Sequence, residues 1–115
     1  MPLRYAWLAS DFATAGQLTT EDLAQAAAEG FRSVVNNRPD FEAGASQPTS
    51  EALRLAAEAA GLQYAFLPVQ SRFQTPEEIA RMHELLRQLP KPVLGFCRSG
   101  ARTANLFHAA KTLQR

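Results

Sequence analysis

The apolar positions of this chain follow two spacings, which predict four helices alternating with short strands. Helical spacing, with apolar side chains three and four positions apart, occurs in segments bounded by capping and stop signals. The predicted helices cover 20–29, 50–60, 76–89 and 104–113. Short apolar or alternating runs predict strands at 4–9, 12–16, 31–35, 62–69 and 92–96, the second being a strand or a turn. Strands that alternate with helices predict a single α/β domain over 1–115, with a mostly parallel central sheet flanked by helices.

Capping chemistry marks the starts of two of the predicted helices. Thr19 can accept a hydrogen bond from a first-turn N–H group, and Asp22 stands three residues later. Thr75, Pro76 and Glu78 combine an N-cap hydroxyl, a proline at the first helical position and a capping-box carboxylate. Glycines follow the first two helices, where a left-handed residue is common. These local signals predict the helix boundaries independently of the sheet.

The composition is that of an ordinary globular domain, and it narrows the classes of function. Of the 115 residues, 46% are hydrophobic, and the formal net charge is +1. The charges form no basic stripe, so we expect no nucleic-acid partner. No apolar run approaches the ~20 residues needed to cross a bilayer, and the first residues lack a signal-peptide core. We therefore expect a cytoplasmic protein with no membrane partner.

The cysteine and histidine content bears on compartment and cofactors. Cys97 is the only cysteine, so it cannot form an internal disulfide, and a reactive free thiol suits a reducing cytosol. The two histidines, His83 and His108, show no ligand spacing with it. We therefore expect neither a metal site nor a cofactor.

Cys97 lies between the predicted strand 92–96 and the predicted helix 104–113, at or just before a helix N-terminus. The unpaired N–H groups and the macrodipole there stabilise an anion, either a ligand or the thiolate of Cys97 itself. Arg102 adds a planar cationic fork that suits tetrahedral oxyanions. The sequence therefore predicts Cys97 as a nucleophile and Arg102 as its catalytic partner. For a lone cysteine after an apolar strand, a buried structural thiol is the alternative.

The loop between the nucleophile and the arginine suits an anion. Gly100 permits an unusual backbone angle and a close approach to a ligand. Ser99 and Thr103 carry short hydroxyls that can bind a thiolate or an oxyanion. The side chain of Arg98 either contacts the substrate or is a solvated charge. The predicted substrate-binding residues of this loop are Arg98, Ser99, Gly100, Ala101 and Thr103.

A second polar segment, Asn36-Asn37-Arg38-Pro39-Asp40, also follows a predicted strand. In a parallel sheet it opens on the same edge as the cysteine loop. Arg38 can bind an anionic substrate, and Asp40 can act as an acid or pair with an arginine. Asn, Pro and Asp also favour turns, so a simple turn is the alternative. Phe41 and Phe73, in two polar loops, are candidates for the wall of a pocket.

These two motifs carry a resemblance to a known family. The loop Cys97-Arg98-Ser99-Gly100-Ala101-Arg102-Thr103 resembles the cysteine loops of protein tyrosine and dual-specificity phosphatases and of rhodaneses. With Asn36–Asp40, Gln17-Leu18-Thr19 and Leu67-Pro68-Val69 in the same order, the chain from about Phe12 to Leu113 resembles the bacterial beta-lactamase hydrolase-like protein, phosphatase-like domain. This resemblance implies a dual-specificity-phosphatase-like fold. It also favours roles near the site for Arg38 and Asp40 over a simple turn.

Three departures from ordinary phosphatases bear on the reaction. Four residues separate Cys97 from Arg102, one fewer than in those phosphatases, and Phe96 stands where they usually have a histidine. After the strand that corresponds to Leu67-Pro68-Val69, dual-specificity enzymes carry a general-acid aspartate, whereas this chain has Gln70-Ser71-Arg72. Displacing a poor alkoxide leaving group needs a proton donor, typically worth ~10²–10⁴ in rate.

Sulfur transfer does not require a general acid, because sulfite or a thiolate is a stable leaving group without a proton. We therefore rank first a rhodanese-like reaction, in which the Cys97 thiolate attacks the sulfane sulfur of thiosulfate or a persulfide. The alternatives are a phosphatase that hydrolyses phosphate monoesters through a phosphocysteine, and a non-catalytic anion or persulfide sensor. The expected partner is a small anionic or persulfide substrate. Members of the family occur fused to sulfur dioxygenases, so a partner of that type is expected by association alone.

Overall fold

A computed structural model describes residues 2–70 and 73–113, which form five strands and four helices. The elements in chain order are β1 (Ala6–Ala9), β2 (Phe12–Ala15), α1 (Thr20–Ala28), β3 (Ser33–Asn36), α2 (Ser50–Ala59), β4 (Gln63–Phe66), α3 (Pro76–Gln88), β5 (Val93–Phe96) and α4 (Ala101–Lys111). The predicted alternation of helices and strands is confirmed, and each strand is shorter than the apolar run that predicts it. The segment at 12–16 is a strand rather than a turn.

The strands form one sheet in the order β1-β2-β5-β3-β4. Only β1 and β2 pair antiparallel, and the other three pairings are parallel, as the α/β pattern predicts. Strand β5 lies in the middle, hydrogen-bonded to β2 on one side and to β3 on the other. All four of its residues are buried, because helices cover both faces of the sheet. The chain that leaves β5 therefore emerges at the centre of the carboxyl edge, where open α/β sheets bind ligands.

Two apolar cores hold the layers together, one on each face of the sheet. Helices α1 and α2 pack together on one face, and α3 and α4 on the other. Successive residues of β3 and β5 point to opposite faces, so each of these strands contributes to both cores. The first core includes Leu23, Leu53, Val34, Leu94 and Phe96, and the second includes Met82, Leu85, Leu106, Phe107, Phe12, Val35 and Val93.

Helix α4 begins at Ala101, three residues before the predicted start at 104. Gly100 occupies the N-cap position with φ of +97° and makes no side-chain cap, so the usual capping signals are missing from the sequence. Because the helix begins at Ala101, Arg102 and Thr103 lie in its first turn and not in the loop. The caps predicted elsewhere are confirmed, since Thr19 and Thr75 both form complete capping boxes.

Gly95 lets α4 approach the central strand closely. A Cβ atom there would lie 2.7 Å from Cγ2 of Thr103 and 2.8 Å from Cζ of Phe12. The first turn of α4 therefore packs directly against β5, two residues before Cys97. Within the described residues, no helix has the length and apolar character needed to cross a membrane.

Candidate active site

The ends of three neighbouring strands meet at the carboxyl edge of the sheet. Asn37, just after β3, donates its backbone N–H to the carbonyl of Phe96, the last residue of β5, at 2.8 Å. Val69, beyond β4, donates its N–H to the carbonyl of Asn37 at 2.9 Å. The polar segment 36–40 and the cysteine loop therefore open on the same edge, as the parallel pattern predicts.

The sulfur of Cys97 lies beneath the loop, and the residue is 0% exposed. Burial raises the pKa of Cys97, but hydrogen bonds to the sulfur from the backbone of Thr103, Ser99 and Gly100 and from the Thr103 hydroxyl lower it by more. The N–H of Gly100 lies 3.1 Å from Sγ. The net effect is a pKa below the ordinary thiol value, so the fold favours the thiolate.

Gly100 fixes the loop against β2. Its carbonyl accepts a hydrogen bond from the hydroxyl of Thr14 at 3.1 Å. A Cβ atom at this position would lie 3.2 Å from that hydroxyl oxygen and 3.3 Å from the carbonyl oxygen of Ala15. Glycine is therefore needed twice, for the left-handed backbone and for the close approach that points its N–H at the sulfur.

The other residues of the cysteine loop contribute backbone groups to the site rather than side chains. The side chains of Arg98, Ser99 and Ala101 are exposed. The carbonyl of Arg98 accepts a hydrogen bond from the backbone N–H of Gln17 at 3.2 Å, which ties the loop to the chain after β2. The loop thus resembles an anion cradle lined by N–H groups, with two polar side chains at its outer rim.

Thr103 links the thiol to the strand ends. It is fully buried, and its hydroxyl donates to Oδ1 of Asn37 at 2.9 Å. The amide nitrogen of Asn37 donates in turn to the carbonyl of Leu67 at 2.9 Å, which sets the orientation of the amide. This buried chain of hydrogen bonds joins α4, β3 and the segment after β4 around Cys97.

Arg102 is held by Glu42, which lies in the long loop between β3 and α2. Nη1 of Arg102 donates to Oε2 of Glu42 at 2.8 Å and to the carbonyl of Val69 at 2.7 Å. Nη2 of Arg102 donates to Oε1 of Glu42 at 2.7 Å. A guanidinium has five N–H donors. The contacts with Glu42 and Val69 do not use Nε–H and one N–H of Nη2, which form the side-on fork that suits an oxyanion. Glu42 therefore orients Arg102 without using its whole binding capacity.

Arg38 supports the same carboxylate. It is 6% exposed; its Nε donates to Oε1 of Glu42 and its Nη1 to Oε1 of Gln17, both at 2.9 Å. Hydrogen bonds from Arg102, and to a smaller extent from Arg38, lower the pKa of Glu42 to about 2 against the opposing effect of burial. The pKa of Arg102 is raised, chiefly by Glu42 and also by the nearby Cys97. Arg38 thus touches the site through Glu42 in this structure.

Asp40 has a structural contact of its own. Its Oδ1 accepts a hydrogen bond from the backbone N–H of Ser50, the first residue of α2, at 2.7 Å. Asp40 also lines an open cavity beside the site, together with Phe73, whereas Phe41 is 63% exposed and lies outside the cavity wall. The role of Asp40 as an acid stays a prediction.

Glu42 and Gln17 contact the two arginines of the site; the sequence gives no signal for Glu42 and brings in Gln17 only through the family resemblance. Glu42 stands four positions after Arg38. Because this segment is predicted to be a polar loop, the spacing does not indicate a pair on one helix face. Its contact with Arg102 spans 60 residues of sequence. In the described part of the chain, no group of three or more His, Cys, Asp or Glu side chains is arranged to hold a metal ion.

The chain is similar to a defined protein family over nearly its whole length. Residues 4–114 match the family described as beta-lactamase hydrolase-like protein, phosphatase-like domain. A beta-lactamase hydrolase-like protein of Agrobacterium fabrum is 33% identical over 99 residues, 86% of this chain and 23% of that protein. One from Xylella fastidiosa is 34% identical over 101 residues, 88% of this chain and 23% of that protein. The chain thus spans about a quarter of the length of these curated relatives.

Solved structures show the same fold. A candidate phosphatase from Neisseria meningitidis superposes with a TM-score of 0.81 at 30% identity, over 94% of this chain and 78% of that one. A candidate phosphatase from Shewanella putrefaciens superposes with a TM-score of 0.78 at 17% identity, over 95% of this chain and 68% of that one. The phosphatase-like fold implied by the sequence is confirmed, and the comparisons favour the phosphatase alternative over the sulfur transfer ranked first from the sequence.

Proposed function

Because the chain belongs to the family of phosphatase-like domains of beta-lactamase hydrolase-like proteins, we propose that it hydrolyses phosphate monoesters with Cys97 as the nucleophile. The observation that carries this proposal is the cradle around the sulfur. A buried thiol with a lowered pKa receives N–H groups from the start of α4, and the first turn of that helix carries Arg102. This arrangement supports a mechanism in which a nucleophile and an oxyanion-binding fork act on one phosphoryl group.

In the first step, Sγ of Cys97 attacks phosphorus. The S–P bond forms as the bond from phosphorus to the ester oxygen breaks, and the electron pair leaves with that oxygen, which takes up a proton. The side-on fork of Arg102 and the N–H groups of the loop stabilise the charge that builds on the equatorial oxygens. Because Cys97 is fully buried in the free protein, the loop must shift to admit the phosphorus atom.

In the second step, water attacks the phosphorus of the phosphocysteine. The new O–P bond forms, the S–P bond breaks, and Cys97 leaves as the thiolate while a water proton passes to solvent or to a base. A thiolate that is already stable at neutral pH is a good leaving group. The same hydrogen bonds that favour attack therefore favour release of phosphate.

Asp40 is the proposed proton donor to the leaving oxygen. Its Oδ1 is engaged by Ser50, and its second oxygen has no hydrogen bond within the described chain. We expect Asp40→Asn to keep the contact with Ser50, because an amide oxygen also accepts. Turnover of an alkyl phosphate should then fall ~10²–10⁴-fold, while p-nitrophenyl phosphate, whose leaving group needs little protonation, should lose far less. Equal losses on both substrates would remove Asp40 from the role of acid.

Sulfur transfer is the second candidate, supported by the carboxylates around the loop. Glu42 is bound by Arg102 and Arg38, and Asp40 contacts the start of α2. A reaction that needs no proton donor suits this arrangement. In it, Sγ of Cys97 attacks the sulfane sulfur of thiosulfate, the new S–S bond forms, and sulfite leaves with the electron pair of the broken bond.

The deciding experiment compares the two substrates on one protein. We expect wild-type protein to release phosphate from p-nitrophenyl phosphate, and Cys97→Ser to release none while keeping its melting temperature. Intact mass after rapid quenching should show a phosphoryl adduct at Cys97. A gain of one sulfur atom from thiosulfate, with no phosphate release, would replace the proposal by sulfur transfer. Sulfate binding without turnover of either kind would make the domain an anion sensor.

A further inference from the structure

The open cavity next to the cysteine loop carries aromatic rings and a second carboxyl, Glu78, that the proposed reaction does not use. We propose that it is a subsite for a cationic, apolar group carried by the same substrate whose anionic group binds the cysteine loop. The inference rests on the proposed function for that anionic end. The cavity measures about 580 Å³. Among the described residues, the wall that matters here consists of Pro39, Asp40, Phe66, Pro68, Phe73 and Glu78.

The cavity adjoins Arg102 and Arg38 through two pairs of residues that are adjacent in sequence. Pro68 lines it, and the next residue, Val69, gives its carbonyl oxygen to Arg102 at 2.7 Å. Pro39 lines it, and the preceding residue, Arg38, holds the same Glu42 that orients Arg102. Consecutive Cα atoms are ~3.8 Å apart. A ligand whose anion lies on the loop therefore needs only a short spacer to reach the cavity.

Among the described residues of the cavity wall, the ionisable side chains are the two carboxyls of Asp40 and Glu78. Asp40 and Glu78 each place one carboxylate oxygen on a backbone N–H at the start of a helix, Ser50 for Asp40 and Thr75 for Glu78. A helix N-terminus carries only about half a positive charge, so the carboxylate of Glu78 keeps an excess of negative charge, and Asp40 adds to it whenever it is ionised. These carboxyls are thus complementary to a cation, while Arg102 and the loop select an anion.

The apolar part of the wall is aromatic and accessible. Phe66 is 40% exposed and Phe73 is 79% exposed, which is unusual for phenylalanine. Ring faces attract ammonium and guanidinium groups as well as apolar groups. Two rings and two carboxylates around one cavity fit an amine on an apolar stem, such as a lysine or arginine side chain or an alkylammonium group.

Three benzylphosphonates that differ only at the para position test this proposal: aminomethyl, methyl and carboxymethyl. By calorimetry, we expect the aminomethyl compound to bind about tenfold tighter than the methyl compound, and the carboxymethyl compound to bind weakest. Glu78→Gln should reduce that preference about threefold, because it removes the charge and keeps the capping-box acceptor. Glu77→Gln is the matched control; this exposed first-turn carboxylate of α3 lies off the cavity wall and should leave the preference unchanged.

Phe66→Leu tests the ring itself. It should lower the aminomethyl preference and leave the affinity of the methyl compound within about twofold, whereas Leu55→Ala, at an exposed site on α2, should change neither. Equal affinities for the three phosphonates in wild-type protein would overturn the subsite.

Benzylamine alone keeps the test independent of the catalytic proposal, because it needs no anion site. Added at millimolar concentration, it should shift the amide resonances of Phe66 and Glu78 and leave those of the cysteine loop in place. No shift at the cavity would overturn the subsite whether or not the protein is a phosphatase. Failure of phosphate hydrolysis with an intact response to benzylamine would overturn only the proposed function.

Discussion

At the scale of single residues, the reactivity of Cys97 depends on a balance between burial and hydrogen bonding. Burial alone raises the pKa of the thiol, and the surrounding N–H and hydroxyl donors lower it by more. Thr103 contributes twice, through its backbone and through its side chain. The hydroxyl also satisfies the buried Oδ1 of Asn37. Because a hydroxyl has a single proton, the sulfur of Cys97 and Oδ1 of Asn37 compete for it, which couples the charge on the sulfur to the hydrogen bonding of the strand ends.

We expect Thr103→Val to raise the pKa of Cys97, because valine keeps the shape and removes the hydroxyl. Since Cys97 is the only cysteine, ultraviolet thiolate absorbance against pH reports this pKa without requiring access to the sulfur. The free energy of unfolding should fall by ~1–3 kcal/mol, the cost of leaving the side-chain oxygen Oδ1 of Asn37 without a donor. Thr112→Val is the control at an exposed helix end. An unchanged midpoint in Thr103→Val would remove the hydroxyl from thiolate stabilisation.

Arg102→Lys tests the geometry of the fork rather than its charge. Lysine cannot hold Glu42 at two points and bind an oxyanion at two further points. We expect kcat/KM for p-nitrophenyl phosphate to fall ~10²–10³-fold, the usual loss when an oxyanion donor is removed. The free energy of unfolding should change by only ~1 kcal/mol, because the pair is partly solvated. Wild-type activity in Arg102→Lys would show that charge alone suffices.

At the scale of elements, β5, the loop and α4 form one unit in which backbone geometry sets the chemistry. The strand ends at Phe96, Gly100 turns the chain through a left-handed conformation, and α4 starts at once with Ala101. This sharp turn points the first N–H groups of the helix at the sulfur. Gly95 allows the first turn of α4 to pack against the strand. Two glycines therefore permit the short distance between nucleophile and helix.

Gly100→Ala and Gly61→Ala separate backbone strain from close approach. Both glycines have positive φ, +97° and +83°, so alanine should destabilise the protein by ~1–2 kcal/mol at either site. Only at Gly100 would the added Cβ atom approach neighbouring atoms, 3.2 Å from the hydroxyl oxygen of Thr14. We therefore expect Gly100→Ala alone to lose phosphate turnover. Equal activity in the two variants, with urea unfolding as the stability measure, would contradict the proposed role of this approach.

At the scale of the whole molecule, one carboxylate connects the long loop after β3 to the last helix. Glu42 pairs with Arg38, four residues before it, and with Arg102, 60 residues after it. Arg38 in turn contacts Gln17, which binds the cysteine loop through its backbone. The loop 37–49 is thus anchored at the site, so its conformation and the orientation of Arg102 depend on each other.

This network predicts an acid-dependent loss of stability. The pKa of Glu42 falls from 4.5 to about 2 in the folded protein. A carboxyl with a lowered folded pKa contributes fully above the unfolded value, here pH 4.5, and the contribution is lost as pH falls towards about 2. After allowance for solvent screening we expect ~1–2 kcal/mol.

Glu42→Gln removes this contribution and serves as the test. Urea unfolding should show the variant less stable than wild type at about pH 6, and this difference in stability should shrink as the pH falls towards about 2. Glu77→Gln, at an exposed carboxyl with no ion pair among the described side chains, is the control and should keep the stability close to that of wild type at the same starting pH. A constant gap between Glu42→Gln and wild type across this range would mean that the carboxylate charge is not what stabilises the loop.

The sequence alone determines what depends on neighbouring residues. Helix caps at Thr19 and Thr75 are hydrogen bonds within three residues, and apolar spacing reports which side of an element is buried. The place of Cys97 after a buried strand follows from the same local signals. The start of α4 is the exception, because Gly100 caps that helix by backbone conformation alone.

Only the tertiary structure decides which distant polar groups meet. The order β1-β2-β5-β3-β4 brings Asn37 beside Thr103, folds Glu42 onto Arg102, and turns Asp40 towards Ser50. Each of these contacts depends on how strands pair and how a long loop closes, and many loop paths share one sequence pattern. The physical reason is that a hydrogen bond needs two groups within ~3 Å, and residue spacing along the chain does not report that distance when the partners are ten to 66 residues apart.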